Sequence, residues 1–266
     1  MAISQQDIDT AKKIKIENQL NTQLDKVYSL MTANVVLAYD NNTDASHPVA
    51  VYTTAIAGLL SAFYLQTIGV FSKATNALIT PETQTYKEFQ EIADLDFTGE
   101  TTVSDIISQV NDEEMLLNLS TMNNYVSTSA QQIENTNIKQ VQEIALQNLS
   151  TKDFKQKLTD NFDARTDTIS QTTVQHAAES TKQNKLKTVN SKVKDELGKP
   201  DDKPKSWQTI LDGREREAHG EADGQVQDVN NPFVVGGELL KFPGDTSLGA
   251  TLGNIINCRC SMHLVF

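Results

Sequence analysis

Cys258 and Cys260 are the only cysteines in the chain, one residue apart in "NIINCRCSMHLVF", beside Asn257, Arg259 and His263. Thiols and an imidazole at this spacing offer three chemistries: metal binding, a disulfide and a reactive thiol. Zinc takes four Cys, His or carboxylate ligands in a tetrahedron, commonly from cysteines two to four residues apart. C-x-C is tighter than that. The candidate zinc set is therefore His219, Cys258, Cys260 and His263, closed only if the fold returns the His219 loop to the chain end. A Cys258–Cys260 bond would close a small strained ring in a reducing compartment and is disfavoured. The expectation is that the thiols are small buried apolar groups, with no cofactor, and that on a strand they share one face while Arg259 takes the other.

A second chemical stretch precedes it, "WQTILDGREREAHGEADGQ", from Trp207 to Gln225. Trp207, Ile210 and Leu211 read as one side of a helical turn. Asp212, Arg214, Arg216 and His219 follow. An Asp–His pair can orient an imidazole, and an arginine can grip a carboxylate through a forked pair of hydrogen bonds. In a catalytic reading His219 is a general base and Arg214 or Arg216 binds an anion. No G-x-S-x-G and no phosphate loop accompanies them. The preferred reading is a polar network that holds a small domain together.

Positioning these residues falls to the rest of the chain. Ile8, Ala11, Ile14, Ile16, Leu20, Leu24, Val27 and Leu30 recur mostly three and four apart, the pattern of an amphipathic helix. In "LITPETQTYKEF", Thr80 suits an N-cap and Pro81 the first helical position. Ile106, Val110, Leu117, Ile138, Val141, Ile144 and Leu149 continue the helical pattern. It stops at "GKPDDKPK", where a glycine and two prolines make a stop signal. Beyond it glycine is dense, and "NPFVVGGELLKFPGD" reads as two short strands joined at Gly236-Gly237. "CRCSMHLVF" alternates as a final strand.

The expected fold is mainly α with a C-terminal α+β unit: an elongated helical N-terminal region, 1–150, then a domain at 151–266. That domain comprises helices over 151–197, a linker at 198–205 and a compact short-stranded unit at 206–266. Val49 to Phe71 carries no charge and meets the length of a membrane span, about 20 residues. Thr54, Gly58 and Ala62 recur four apart within it, which suits close helix approach. It reads as a central core helix, with membrane insertion the alternative. The formal net charge of −12 argues against a general nucleic-acid coat. Six lysines from Lys182 to Lys199 run against that balance. They read as a solvated helix face, with a local phosphate-contacting face as the alternative. Two cysteines make no disulfide framework, and the polar N-terminus lacks a signal-peptide core, so synthesis in the cytoplasm is expected.

Taken together, the order W-x-x-x-L-D-x-R-x-R-x-x-H-x-x-x-D-G-Q, P-F, G-G-E-L, P-G-D and N-C-R-C resembles the Mu F-like family of tailed-phage minor head proteins. The elements are Trp207, Leu211, Asp212, Arg214, Arg216, His219, Asp223-Gly224-Gln225, Pro232-Phe233, Gly236 to Leu239, Pro243 to Asp245 and Asn257, Cys258, Arg259, Cys260. Upstream, Arg165-Thr166-Asp167 resembles the family's A-R-T-E segment, with Asp167 in place of Glu. The resemblance covers roughly 150–266; the first 150 residues resemble no family. It implies a virion component present in few copies inside the head near the portal vertex, assisting head assembly or DNA ejection. Implied partners are the portal protein and a major capsid or scaffolding protein. Packaged DNA through Lys182–Lys199, and a membrane during ejection, are further expectations from charge pattern. No enzymatic activity is expected. The alternatives are a membrane-active ejected protein using residues 49–71 and a small transferase- or nuclease-like domain using His219 with Arg214 or Arg216.

Overall fold

The computed structural model describes residues 5–79, 112–197 and 204–265. Four long helices come first: α1 (Gln5–Asp40), α2 (Ser46–Ile79), α3 (Asp112–Ala145) and α4 (Thr151–Leu197). Short elements follow: β1 (Lys205–Gln208), α5 (Glu217–Glu221), β2 (Val226–Gln227), β3 (Phe233–Val235), β4 (Glu238–Leu240), α6 (Leu252–Ile255) and β5 (Ser261–Leu264). The chain is thus mainly helical with a small short-stranded region at its C-terminal end. The expected N-cap at Thr80-Pro81, the apolar residues Ile106 and Val110, and most of the linker lie outside the described residues.

Local chemistry sets several helix ends. Ser150 caps α4 in a reciprocal box: the Asp153 N–H donates to Ser150 Oγ at 3.2 Å, and Ser150 Oγ donates back to Asp153 Oδ2 at 2.7 Å. Asn42 and Asn148 follow α1 and α3 with φ of 53° and 49°, the left-handed turn that asparagine tolerates after a helix.

The described chain divides into two compact units, and the division passes through all four helices rather than at residue 150. One unit comprises Lys15–Phe63 and Met122–Ser170. Its α1 seam is Ile16, Leu20, Leu24, Tyr28, Met31, Val35 and Ala38. Leu30, expected on that face, lies outside it at 56% exposure. The Tyr28 and Phe162 rings stack at 5.0 Å, and Tyr39 and Phe154 at 4.0 Å. The Arg165–Asp167 segment belongs here. Arg165 donates to Asn137 and, at 3.3 Å, to Gln140; Thr166 is buried and donates to the Phe162 carbonyl; Asp167 accepts from Asn21 Nδ2 at 2.6 Å. Val49, Thr53, Ile56 and Leu60 of α2 are buried in this unit, whereas Thr54, Gly58 and Ala62 are exposed. The small-residue stripe does not meet a helix among the described residues, since a Cβ at Gly58 would find open space. The uncharged run is long and apolar enough to cross a membrane, and 44% of its most apolar window is buried.

The other unit holds the remaining described residues, including every short element. Charged groups occupy its interior. Glu179 of α4, fully buried, receives Lys13 Nζ at 2.6 Å, Lys182 Nζ at 3.1 Å and the Met262 N–H at 2.7 Å. Lys182 also pairs with buried Asp9 at 2.5 Å, and Lys185 with buried Glu114 at 2.8 Å. These two lysines therefore do not form the solvated face expected of the lysine run, because carboxylates on other helices draw them inward. Burial alone would raise the Glu179 carboxyl, but Lys13 and Lys182 hold it below the ordinary range.

β1 is the centre of a three-stranded sheet ordered β2-β1-β5, antiparallel on both sides, with Trp207 opposite Met262 and Ser206 opposite His263. Trp207 therefore lies on a strand, not on a helical turn; of its expected core companions, Leu211 is 64% exposed. Lys205, expected in the linker, begins β1. Its Nζ donates to Gln183 Oε1 at 3.0 Å and to the Lys241 carbonyl at 2.7 Å, over the Phe233 ring. Burial, and then Lys187, pushes its pKa down to about 7. β3 and β4 form the expected hairpin, Val235 opposite Glu238. Gly236 and Gly237 supply the two positive φ angles, 57° and 81°, that a two-residue turn of this hand requires.

A buried histidine gives this unit an acid-side weakness. His176 Nδ1 lies 2.9 Å from Tyr64 Oη, its ring meets Phe242 edge-on, and burial lowers its pKa to about 4, with Asp245 opposing. The unfolded histidine titrates near 6.5. Between 6.5 and 4 the unfolded chain binds a proton that the folded chain refuses, so stability falls as pH falls through that window. The loss is on the order of 3 kcal/mol by pH 4. Urea midpoints measured from pH 7 to 4.5 should show this slope, and His176→Gln should flatten it. Equal slopes in wild type and variant would contradict the burial of a neutral imidazole. His263, also lowered by burial, adds a slope of the same sign that His263→Gln isolates.

Candidate functional site

The site sits where the Asp212–His219 loop meets the chain leading into β5. Trp207 anchors it, packed in the core with Phe233, Leu240, Phe242, Met262, Cys258 and Cys260, its indole N–H donating to Thr209 Oγ1 at 3.1 Å. Thr209 then places the loop twice. Its N–H donates to Asp223 Oδ1 at 2.7 Å, and its hydroxyl donates to the His219 carbonyl at 2.7 Å. Gly224, with φ of 73°, lets its N–H reach the Trp207 carbonyl at 2.9 Å. The Gln225 amide continues the pairing side-on, accepting the Val234 N–H at 2.8 Å and donating to the Val234 carbonyl at 3.1 Å.

Two locks close the loop onto the chain end. The first is ionic. Both Arg259 Nη atoms donate to Asp212, at 2.8 and 2.9 Å, and Arg214 donates to the same carboxylate through Nε at 3.0 Å and Nη2 at 2.6 Å. Arg259, and then Arg214, holds the Asp212 carboxyl well below the usual range. Asp212 thus serves the arginines and does not orient His219. The second lock is the thiol–imidazole cluster. His219 Nδ1 lies 3.3 Å from Cys260 Sγ and 3.8 Å from Cys258 Sγ, and all three residues are buried. Contact with Cys258, and then His219 and Thr209, draws the Cys260 thiol down to about 5 against burial. Contact with Cys260, together with burial, pushes Cys258 well up. Both thiols are free.

Asn257 makes the turn that presents these groups, with φ of 54° and its N–H donating to Thr172 Oγ1 at 3.3 Å. β5 begins only at Ser261, so the cysteines precede the strand, although Cys258 and Cys260 still face inward and Arg259 outward. Arg216 donates to the Ile256 carbonyl. His263 departs from the expected zinc set: it faces the charged interior of Glu179, Lys182, Asp9 and Lys13, whereas the convergent donors are His219, Cys258 and Cys260. A cavity of about 350 Å³ opens beside Cys260 and His219, lined also by Arg214, Arg216, Arg259 and Asn257.

Glu238 and Asp245 of the motif act as ties. Glu238 accepts the Thr251 N–H at 3.0 Å and Asn254 Nδ2 at 2.6 Å; Asp245 accepts the N–H groups of Lys241 and Ser247, each at 2.8 Å. Residues that the sequence reading passed over hold the unit from α4. Gln175 Nε2 donates to the Cys260 carbonyl, Glu179 accepts the Met262 N–H, and Gln183 Nε2 donates to the Val229 carbonyl, each at 2.7 Å. Their spacing of four along one helix was the available signal: long polar side chains on a single stripe, able to satisfy backbone groups of short strands. Arg165–Asp167 lies in the other compact unit and is not among the residues gathered here. Comparison with family models, with curated proteins and with solved structures gives no match to this chain.

Proposed function

We propose that the chain is a minor head protein of a tailed-phage particle, made in the host cytoplasm and carried inside the head near the portal vertex. Its short-stranded unit is the folded module of the resembling family, used for assembly contacts and not for catalysis. The observation that carries this reading is the interlocking of the spaced motif. From Trp207 to Cys260 its side chains tie one small unit together, and the Asp212 carboxylate that a catalytic dyad would need is committed to Arg259 and Arg214. A unit with few and short strands has little apolar area to hold its loops, so ionic and polar locks do that work.

The portal protein is the first partner proposed, with a capsid or scaffolding protein second. A DNA contact through Lys182–Lys199 loses two of its six lysines to buried ion pairs, which moves it behind the protein partners. The membrane-active alternative rests on the apolar run of α2, of which less than half is buried.

The test is co-expression of the full chain with the portal protein of the phage or prophage that encodes it, followed by affinity purification. Co-purification of the portal is expected, together with its severalfold loss on Arg259→Glu, which turns the Asp212 lock into a repulsion. Failure of the folded wild-type chain to retain the portal would refute the reading. Retention by a folded Arg259→Glu chain would refute only the role given to the lock.

A further inference from the structure

The cluster of His219, Cys258 and Cys260 has a chemistry that an assembly module does not require. We propose that these three side chains bind one thiophilic divalent ion, zinc first among them, through His219 Nδ1, Cys258 Sγ and Cys260 Sγ. Water or a small anion from the adjoining cavity completes the coordination.

Geometry supports this first. Tetrahedral zinc, with bonds of about 2.3 Å to sulfur and about 2.0 Å to nitrogen, separates its ligand atoms by roughly 3.5–3.8 Å. The imidazole nitrogen stands 3.3 and 3.8 Å from the two sulfurs, and all three ligand atoms lie within 4.8 Å of one another. These separations are close to those of the bound ion, so small side-chain adjustments admit it.

The donors are also held by bonds that do not involve their ligand atoms. The His219 N–H donates to the Arg216 carbonyl at 3.0 Å, and its own carbonyl takes the Thr209 hydroxyl. The Cys258 N–H donates to the Ile255 carbonyl at 3.3 Å, and the Cys260 carbonyl takes Gln175 from α4. Such prior fixing of ligands lowers the ordering cost of metal binding.

Burial and charge agree. His219 is 2% exposed, Cys258 1% and Cys260 3%. Two thiolates and a neutral imidazole neutralise a divalent ion inside the core, whereas without an ion the Nδ1 face of the imidazole has only the two sulfurs as partners. Nδ1 is the ring nitrogen that faces the sulfurs, and Nε2, on the far side of the ring, carries the proton of the metal-binding tautomer. Arg214, Arg216 and Arg259 line the cavity with Glu215, and Asp212 pairs two of the three arginines, which leaves a small positive balance that favours an anion in the exchangeable position. Three protein ligands with one open position is the arrangement of a zinc ion that can exchange a ligand.

Cobalt titration of the full chain, purified without chelator, stripped of metal and reduced with a phosphine, tests the site. The expected result is saturation at about one equivalent, as for a dedicated site. Thiolate-to-cobalt charge-transfer absorption should appear in the near ultraviolet, ligand-field bands of tetrahedral cobalt in the visible, and zinc should bleach both. Cys258→Ser and Cys260→Ser should each lose charge-transfer intensity. His219→Gln should weaken affinity by more than about 100-fold, beyond the loss typical of outer-shell groups. A reduced, folded wild-type chain that shows no charge-transfer bands overturns the proposal, as do bands that survive in the Cys258→Ser/Cys260→Ser double variant. The wild-type spectrum decides the matter even if a variant fails to fold. Failure here leaves the portal experiment untouched, since that experiment reads retained protein and not bound metal.

Discussion

Replacing Glu179 by alanine is expected to remove about 3–5 kcal/mol of stability, a large share of the 5–15 kcal/mol typical of a folded domain. The carboxylate is fully buried and holds Lys13, Lys182 and the Met262 N–H. Its loss leaves Lys13 without its ionic partner, leaves Lys182 with Asp9 alone, and frees a backbone N–H of β5. The buried lysines then outnumber the one carboxylate left beside them, Asp9, and removing one member of a buried pair costs far more than the pair was worth. Glu179→Gln keeps a hydrogen-bond acceptor but not the charge, so it should fall between alanine and wild type. Urea unfolding followed by circular dichroism measures both. A cost below about 1 kcal/mol for Glu179→Ala, the range of surface pairs, would mean that water reaches this network.

Trp207→Ala should cost about 3–5 kcal/mol, the usual range for truncating a buried large aromatic. Trp207 is fully buried at the centre of the short-stranded core, edge-on to both Phe233 and His219. The substitution empties the space between β1 and the hairpin and removes the donor to Thr209, which sets the His219 loop. Trp207→Phe, which keeps most of the packing and loses the hydrogen bond, should cost about 1–2 kcal/mol. The local readout is the rate at which a soluble disulfide reagent modifies Cys258 and Cys260, since both thiols pack against this core. Alanine should expose them and phenylalanine should not. Thiols as protected in Trp207→Ala as in wild type would contradict the placement of the indole as the core's anchor.

How much of this was legible in the sequence differs from element to element. Gly236-Gly237 announced its hairpin because few other residue pairs supply two positive φ angles. The helical pattern of α1 was legible, yet its seam shifts from Ile14 and Leu30 to Tyr28, Met31 and Val35, since apolar residues also occur off the buried face. The N-terminal end of α1 and the middle of α4 were not legible. There the buried residues are Asp9, Lys13, Gln175, Glu179 and Lys182, whose polarity breaks hydrophobic periodicity, and the pairs that join α1 to α4 link positions more than 160 apart. Trp207 read as helical because Ile210 and Leu211 follow at helical spacing, but β5, more than 50 residues on, claims it as a strand. Within the spaced motif Trp207, Asp212 and Arg259 make contacts inside the unit, whereas Leu211 is exposed. The motif did not indicate that Arg259, rather than His219, partners Asp212, because only the left-handed turn at Asn257 brings that arginine around.

The most direct measurement of the central claim is a quantitative immunoblot of purified phage particles, comparing full virions with ghosts emptied of DNA. The account predicts the chain in full virions at a few copies per particle, far below the major capsid protein. Retention in ghosts would make it a fixed portal-vertex component, and loss from ghosts an ejected one that draws attention to α2. Absence from full virions would contradict the account.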